Sequence, residues 1–224
     1  MKTHIRFNGA GGHYAYLLGI ASVLQNEFDL RDVIFSGYSA GCVPALLCCL
    51  NINIEQEYLL LNIPLLKDLS NCMLKAFFNF IPYLKKHLLR RLNKHDKSIY
   101  KNANYRLYTH LTHIPSLETH ILNKYVSNED LIDSAMASGH IPLYNNSLFY
   151  KHRDRYYVDG GLKRDNMYEC KNANFIEIKC DRYRQLPGSF LFISTCLQSS
   201  KELFDLGRAD AYNDLENFGS ILKR

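Results

Sequence analysis

The sequence has no Cys-x-x-Cys pair, although it contains seven cysteines. An odd number without paired spacing argues against a disulfide framework and against a cysteine zinc site, and it favours buried, reduced thiols. No segment approaches the roughly 18 to 20 apolar residues that a membrane-spanning helix needs, and the N-terminus lacks the apolar stretch of a signal peptide. We therefore expect a soluble, cytoplasmic protein.

Nucleic-acid-binding motifs, internal repeats and low-complexity linkers are also missing. The formal charge of +5 on 224 residues is modest, so it allows affinity for anionic surfaces and does not require a nucleic-acid partner. The chain is 47% apolar, which is enough for one sizeable core. We expect a single domain over residues 1–224, with no nucleic-acid partner; the sequence does not indicate an oligomeric state.

Short extended runs alternate with helical patterns in the first fifty residues. Apolar runs at 4–7 and 33–35 are each followed by a glycine-containing turn and then by a helical stretch, 15–28 and the segment VPALLCCL. Two such units in succession favour a parallel sheet with helices on its faces. The pattern predicts an α/β core.

A basic helical insertion is expected at about 68–97. Apolar residues recur there at helical spacing among many lysines and arginines, and we predict two short helices that meet near Pro82. Basic amphipathic helices can lie in membrane interfaces. The alternative, which is more common, is a helix packed on the core with a solvated basic face.

The second half returns to strands. We predict two β segments after Tyr105, a helix that begins near Ser127 and ends at about Gly139, strands at YYVDGG and FIEIKC, and a helical tail over 190–222. His110 and His113 in HLTH could suggest a metal site, but no third ligand stands at a recognisable spacing. We therefore expect strand histidines and no metal.

The segment FSGYSAGCVP places Ser39 in a GxSxG pattern between an apolar run and a helix. This is the signature of a nucleophile elbow, whose small flanking residues let the serine project from the sheet edge. The N-terminus of the following helix would favour an oxyanion formed there. On this segment alone, Ser39 could equally be a helix cap.

A general base is then needed, and the order of residues is informative. In α/β-hydrolases the histidine comes last, but all nine histidines here lie at or before His152. If Asp159 is the acid, no histidine follows it, which points to a serine activated directly by a carboxylate. Asp159 stands at the end of a predicted strand before two glycines, where it could face the crevice at the strand ends. Alternatively, it is an ordinary turn aspartate.

The turn NGAGGHY supplies a third element. Its backbone amides, those of Gly9, Ala10, Gly11 and Gly12, could hold the oxyanion of a tetrahedral intermediate. A phosphate-binding turn is the alternative, but Tyr14 replaces the third glycine of that motif.

These elements occur in the order seen in patatin-like phospholipases: the glycine-rich turn, GYSAG, SAMASGHIP, YVDGG and, near the end, LFDLGRADAYND. The resemblance covers about 7–166. It implies a three-layer α/β/α fold with a mostly parallel central sheet, and a Ser-Asp dyad that cleaves acyl esters of lipids without a metal or other cofactor. By this resemblance Ser39 is the nucleophile, Asp159 the base and the turn Gly9 to Gly12 the oxyanion hole.

The chain departs from the family pattern at two places. His13 and Tyr14 replace its arginine-glycine step, and Asn166 and Met167 replace its asparagine-proline. Tyr14 could crowd the helix start or reshape the acyl pocket. The resemblance implies a lipid acyl hydrolase of the phospholipase A or lysophospholipase type. The basic helical region suggests that it acts as a peripheral protein at an anionic membrane surface. The alternatives are an acylglycerol lipase, a lipid acyltransferase with the same dyad, and a non-catalytic lipid-binding relative.

Overall fold

A mixed sheet of seven strands lies at the centre of the residues that the computed structural model describes, which are 2–62, 73–143, 147–187 and 197–223. The strands are β1 (Thr3–Phe7), β2 (Val33–Gly37), β3 (Leu107–Ile114), β4 (Thr119–Leu122), β5 (Tyr150–His152), β6 (Arg155–Val158) and β7 (Asn174–Ile178). Their order is β5-β6-β3-β2-β1-β7, and β4 pairs with β3. The strands expected from the apolar runs are therefore present.

The register of the sheet brings the predicted site segments to one edge. Strands β7, β1, β2 and β3 run parallel, and Phe7 at the end of β1 pairs with Gly37 at the end of β2. The turn after β1 and the serine after β2 therefore leave the sheet side by side. Strand β6 is antiparallel to β3, with Val158 opposite Thr112, so Asp159 also leaves the sheet next to β3.

Helices lie on both sides of this sheet, which confirms the expected three-layer α/β/α class. They are α1 (Tyr14–Glu27), α2 (Cys42–Cys49), α3 (Ile54–Glu57), α4 (Met73–His95), α5 (Asn128–Ser138), α6 (Leu197–Asn213) and α7 (Leu215–Gly219), with short 3₁₀ turns at Gly11–His13, Ser39–Gly41 and Ile99–Ala103 and a π-helical turn at Tyr58–Asn62. Helix α1 is buried over most of its surface and packs along α6. The buried Tyr16 hydroxyl donates to Asp210 of α6 at 2.8 Å.

The basic segment forms one helix, so the prediction of two helices meeting near Pro82 is wrong. Helix α4 continues through Pro82. An internal proline removes a single backbone hydrogen bond, and buried Leu84 and Leu88 fix the following turns against the core. Lys86 and Arg90 face solvent. The segment is therefore a helix whose buried apolar side chains pack on the core and whose basic face is solvated.

Two other local predictions are confirmed. The Ser127 side chain caps α5 by accepting the Asp130 N–H at 3.0 Å, and the C-terminal part of the expected helical tail forms α6 and α7. Residues 68–72 of the basic segment and 190–196 of the tail lie outside the described residues. The five described cysteines are free thiols, as expected. Within the described ranges, no helix combines the length and the apolar character needed to cross a membrane.

Candidate active site

Ser39 lies at a sharp turn between β2 and α2. Its φ angle is 53°, a left-handed conformation that costs energy for a residue with a side chain and often marks a functional site. The turn passes so close to the end of β1 that a Cβ on Gly41 would collide with the carbonyl oxygen of Phe7. A strained serine between strand and helix, with glycine required beside it, is the geometry of a nucleophile elbow.

Ser138 at the end of α5 holds the elbow in place. The backbone N–H of Ser39 donates to the Ser138 hydroxyl at 3.0 Å, and that hydroxyl donates to the carbonyl of His110 in β3 at 2.6 Å. Ser138 is completely buried, so neither bond competes with water. The SAMASGHIP segment therefore connects the elbow to the sheet.

Asp159 is held next to the same residues. Its backbone N–H donates to the carbonyl of His140 at 2.7 Å, and its carbonyl accepts from the Thr112 hydroxyl at 2.9 Å. One carboxylate oxygen, Oδ1, accepts the N–H of Gly161 at 2.7 Å. A Cβ on Gly160 would collide with the carbonyl of His110, so the DGG turn can pack this closely on β3 only because a glycine follows Asp159.

The Ser39 hydroxyl and the Asp159 carboxyl interact across this junction. Burial raises the pKa of Asp159, and the Ser39 hydroxyl and the Gly161 N–H, as hydrogen-bond donors to the carboxylate, oppose that rise together with the positive charge of Arg164. The other carboxylate oxygen, Oδ2, is buried and has no partner in regular hydrogen-bond geometry among the described residues. The contact with Ser39 therefore falls outside the geometry of a standard hydrogen bond.

The glycine-rich turn lies against the elbow. A Cβ on Gly9 would be 3.1 Å from the Cβ of Ser39, and Gly11 has a φ angle of 49°. In the described part of the chain, the N–H groups of Gly11 and Gly12 donate to no acceptor. The first N–H groups of a helix lack intrahelical partners and favour anions. The turn thus offers two backbone donors beside Ser39.

An apolar cavity of about 60 Å³ opens beside Ser39, and its walls include Tyr14, Phe80 and Ile141. A second apolar cavity of about 20 Å³ shares the side chains of Tyr14, Val43 and Leu84 with the first. Tyr14 and Phe80 are in edge-to-face contact, with ring centroids 5.8 Å apart. Tyr14 therefore lines both apolar spaces, at one of the two positions where the chain departs from the family pattern.

A larger cleft of about 970 Å³, with many polar side chains in its walls, adjoins the elbow at Tyr38. Its walls include Tyr38, Arg164 and Lys179. Lys179 is paired with Glu177 at 2.8 Å, whereas Arg164 has no carboxylate partner within the described ranges and lies over the Tyr38 ring at 5.7 Å. The site thus has an apolar side and a polar side that carries a cation.

His110 has a structural role. It is completely buried, its Nδ1 contacts the carbonyl of Gly37 at 3.1 Å, and its Nε2 accepts the N–H of Tyr168 at 3.0 Å. Burial lowers the pKa of this imidazole to about 4, so the ring is neutral at physiological pH. His113 lies elsewhere, on the β3–β4 hairpin, near Glu118 and a further histidine.

The structure brings together all the residues singled out in the sequence for this site, and it adds others. Ser138, Tyr38 and Arg164 were not identified. The SAMASGHIP resemblance pointed to the segment of Ser138 but gave no role to that side chain. Tyr38 occupies a variable position of the GxSxG motif and Arg164 stands three residues after the DGG turn, and no pattern of residue types marked either one.

The comparison with protein families gives a match to the patatin-like phospholipase model over residues 6–169. The omega-hydroxyceramide transacylase of Mus musculus is 29% identical over 166 residues, which are 70% of this chain and 27% of that protein. The human patatin-like phospholipase domain-containing protein 2 is 27% identical over 178 residues, which are 76% of this chain and 34% of that protein. The chain therefore matches about a quarter to a third of the length of these relatives.

Among solved structures, VipD from Legionella pneumophila is similar with a TM-score of 0.49 and 16% sequence identity. The similarity covers 78% of this chain and 49% of that one.

Proposed function

Because this chain belongs to the patatin-like phospholipase family, we propose that it is a lipid acyl hydrolase of the phospholipase A or lysophospholipase type. The observation that carries the proposal is the junction of a strained serine and a buried aspartate. An apolar cavity lies beside the serine, and two backbone N–H groups lie in the adjoining turn. A nucleophile, a base, oxyanion donors and a place for an acyl chain are the parts that ester hydrolysis requires.

In the first half of the reaction, the Ser39 oxygen attacks the ester carbonyl carbon while its proton passes to the Asp159 carboxylate. The carbonyl oxygen becomes an oxyanion, which the amides of the turn Gly9 to Gly12 stabilise; those of Gly11 and Gly12 have no other acceptor among the described residues. Collapse of this intermediate breaks the bond to the alcohol, which leaves with the proton from Asp159. The acyl group remains as an ester of Ser39.

In the second half, water attacks that ester and Asp159 accepts a proton from the water. A second tetrahedral intermediate collapses, Ser39 regains its proton and the fatty acid departs. The raised pKa of Asp159, which results from burial, suits a base that must take and return a proton near neutral pH. Burial of the Asp159 carboxyl group therefore favours the proton transfers in both halves of the reaction.

The two sides of the site fit the two parts of a lipid. The apolar cavity beside Ser39 would receive the acyl chain, and the polar cleft with Arg164 would receive the glycerol and head group. An acylglycerol lipase would use the same dyad. A lipid acyltransferase differs only in passing the acyl group to an alcohol instead of water, and two of the relatives are named as transacylases.

Contact with a membrane surface is part of the proposal. Exposed apolar side chains stand on the two segments that follow α5 and the DGG turn, with Leu143 64% and Leu162 65% exposed. Ile141 of the first segment also lines the cavity beside Ser39. Lys163 and Arg164 adjoin Leu162, and basic residues favour anionic lipid surfaces. These segments, rather than helix α4, would contact the membrane surface.

A lipid-panel hydrolysis assay with product analysis tests the function. The parent should release fatty acid from at least one phospholipid or lysophospholipid, and its serine should react with a fluorophosphonate probe. Ser39→Ala and Asp159→Asn should lose both properties, whereas Ser220→Ala, which changes an exposed serine of the last turn, should retain them. Hydrolysis by folded Ser39→Ala at the parent rate would refute the dyad, and absence of probe labelling in the parent would favour a non-catalytic lipid-binding relative.

A further inference from the structure

Three side chains that commonly bind metals lie together on the β3–β4 hairpin, outside the candidate active site. They are His113, Glu118 and His120, and one potential ligand atom from each lies within 4.8 Å of the other two. From the sequence we expected no metal here, because no third ligand stands at a recognisable spacing from His110 and His113. The hairpin supplies the missing ligands, Glu118 from its turn and His120 from its second strand.

The register of the hairpin explains why these residues meet. Thr112 pairs with Thr119 in the antiparallel ladder, so the next pair outward is His113 and Glu118, whose backbones are joined by a hydrogen bond of 2.9 Å. His120 stands diagonally opposite His113. Residues two apart on a strand share a face, and diagonal neighbours are close enough for long side chains to meet. All three side chains therefore project from one face of the hairpin.

A hydroxyl group contacts the Nδ1 atom of each histidine ring. The Nδ1 atom of His113 is 2.8 Å from the Ser116 hydroxyl, which donates to Glu118 at 3.2 Å. The Nδ1 atom of His120 is 3.3 Å from the Tyr157 hydroxyl. Histidines that bind metals almost always have such a partner on the second ring nitrogen, which fixes the tautomer and the orientation of the ring. Within the described residues, the hydrogen bonds of these two rings leave Nε2 unused.

We infer that His113, Glu118 and His120 form a site for one divalent transition-metal ion, with zinc as the first candidate. Two imidazoles and a carboxylate match the preferences of zinc and leave a fourth position for water. Ligand atoms about 2.0–2.1 Å from zinc stand roughly 3.3 Å apart, so the present separations, which reach at most 4.8 Å, must shrink by up to about 1.5 Å. The rings are stacked 4.5 Å apart and nearly parallel, and one of them must turn to point at the ion.

The side chains of this site can make such a rotation. Both histidines are half-buried and Glu118 is exposed, so the rings can rotate without disturbing the core. Arg155 is near enough to act electrostatically on His120, and its positive charge disfavours a cation. The site is therefore expected to bind zinc with moderate affinity, and removal of that charge should tighten binding.

The hairpin also touches the loop that carries Asp159. The Thr112 hydroxyl donates to the carbonyl of Asp159 and the Thr119 hydroxyl to that of Lys163. An ion bound by His113 and His120 would join the two strands next to Thr112 and Thr119, and would therefore stabilise the part of the hairpin that contacts this loop. The inference itself does not depend on the proposed lipid hydrolysis.

Zinc titration of the full chain, with any purification tag removed, tests the site by calorimetry. The parent should bind one zinc ion per chain, and cobalt should give the visible absorption of a tetrahedral site. His120→Asn and Glu118→Gln should each weaken zinc binding by 10-fold or more, and Arg155→Gln should strengthen it. His87→Asn, on helix α4, is the matched control and should bind like the parent.

Thermal unfolding followed by circular dichroism provides a second measurement. Zinc should raise the unfolding midpoint of the parent but not that of Glu118→Gln, which alters an exposed side chain and should fold normally. The inference is wrong if the parent binds no zinc in calorimetry. It is equally wrong if Glu118→Gln binds as tightly as the parent, or if His87→Asn loses as much affinity as His120→Asn.

Discussion

The buried hydroxyl of Ser138 offers a direct test of how the nucleophile elbow is held. It accepts the N–H of Ser39 and donates to the carbonyl of His110. In Ser138→Ala both partners lose this bond, and the new methyl group can replace neither. The substitution leaves the proposed nucleophile, base and oxyanion donors unchanged, so any loss of activity would come from their positions.

The expected cost follows from burial. A typical intramolecular hydrogen bond contributes about 1 kcal/mol, and a buried group left without a partner costs about 1–3 kcal/mol. Two such bonds to a completely buried hydroxyl suggest a loss of about 2–4 kcal/mol in the free energy of unfolding. Because misplacement of a catalytic group by 1 Å can cost on the order of 100-fold in rate, we expect a fall of about that size in kcat/KM.

Urea unfolding and the rate of fluorophosphonate labelling measure the two effects separately. Ser134→Ala is the control, because Ser134 is equally buried in the same helix but donates within that helix, to Leu131 at 2.7 Å. It should lose about 1 kcal/mol and label at the parent rate. If Ser138→Ala, under conditions where it is folded, also labels at the parent rate, the elbow does not depend on this hydroxyl and our account of its support is wrong.

Three further predictions concern charge and specificity. Burial raises the pKa of Asp159, so the contribution of this group to stability is complete below its unfolded pKa and is lost as pH rises through its folded pKa. Asp159→Asn should therefore be at least as stable as the parent at neutral pH, as measured by thermal unfolding across pH. The same variant should lose 100-fold or more in kcat for ester hydrolysis. The parent kcat/KM should fall as pH drops through that raised pKa, and unchanged activity there would exclude Asp159 as the base. Tyr14→Ala should join the two apolar cavities and raise the ratio of kcat/KM for long-chain esters to that for short-chain esters about 10-fold. Tyr83→Ala, at a partly exposed position of α4, should leave this ratio unchanged. Arg164→Gln should lower kcat/KM for anionic phospholipids more than for neutral esters, and an equal effect of Arg90→Gln on α4 would show that only overall charge matters.

The order of strands and helices could be predicted because it depends on local patterns. Apolar runs, turn glycines and the Ser127 cap each act within a few residues, and each produced the expected element. The prediction that failed, a break near Pro82, also rested on a local rule. It failed because packing on the core outweighed the loss of one hydrogen bond, and packing depends on residues far away in sequence.

In the candidate site, too, features that depend on local sequence could be predicted and features that depend on long-range contacts could not. Ser39 and Asp159 could be identified because each stands in a short motif with a geometric requirement, a turn after a strand. Ser138, which supports the turn of Ser39, could not be identified in this way. The contact of Ser138 is with a backbone carbonyl, which is the same for every residue type and leaves no trace in composition or spacing. The ligands around His113 were missed for a related reason, since Glu118 and His120 become its neighbours only through the register of the hairpin.

Strand β3 contacts both the Ser39 elbow and the DGG turn, and substitution of Gly160 tests whether it sets the distance between the two residues of the proposed dyad. The carbonyl of His110 receives the Ser138 hydroxyl that holds the elbow, and the same carbonyl lies where a Cβ on Gly160 would be. Gly160→Ala should therefore push the DGG turn away from β3 and carry Asp159 away from Ser39.

We expect Gly160→Ala to lose about 100-fold or more in kcat/KM. Gly139→Ala, near the same elbow, should retain activity because its added Cβ would meet its nearest neighbours at an ordinary 3.8 Å. Fluorophosphonate labelling compares the two variants after circular dichroism has shown that both are folded. Equal reactivity would mean that close packing of the DGG turn on β3 does not set the distance between base and nucleophile, and that Asp159 can reach Ser39 from a displaced loop.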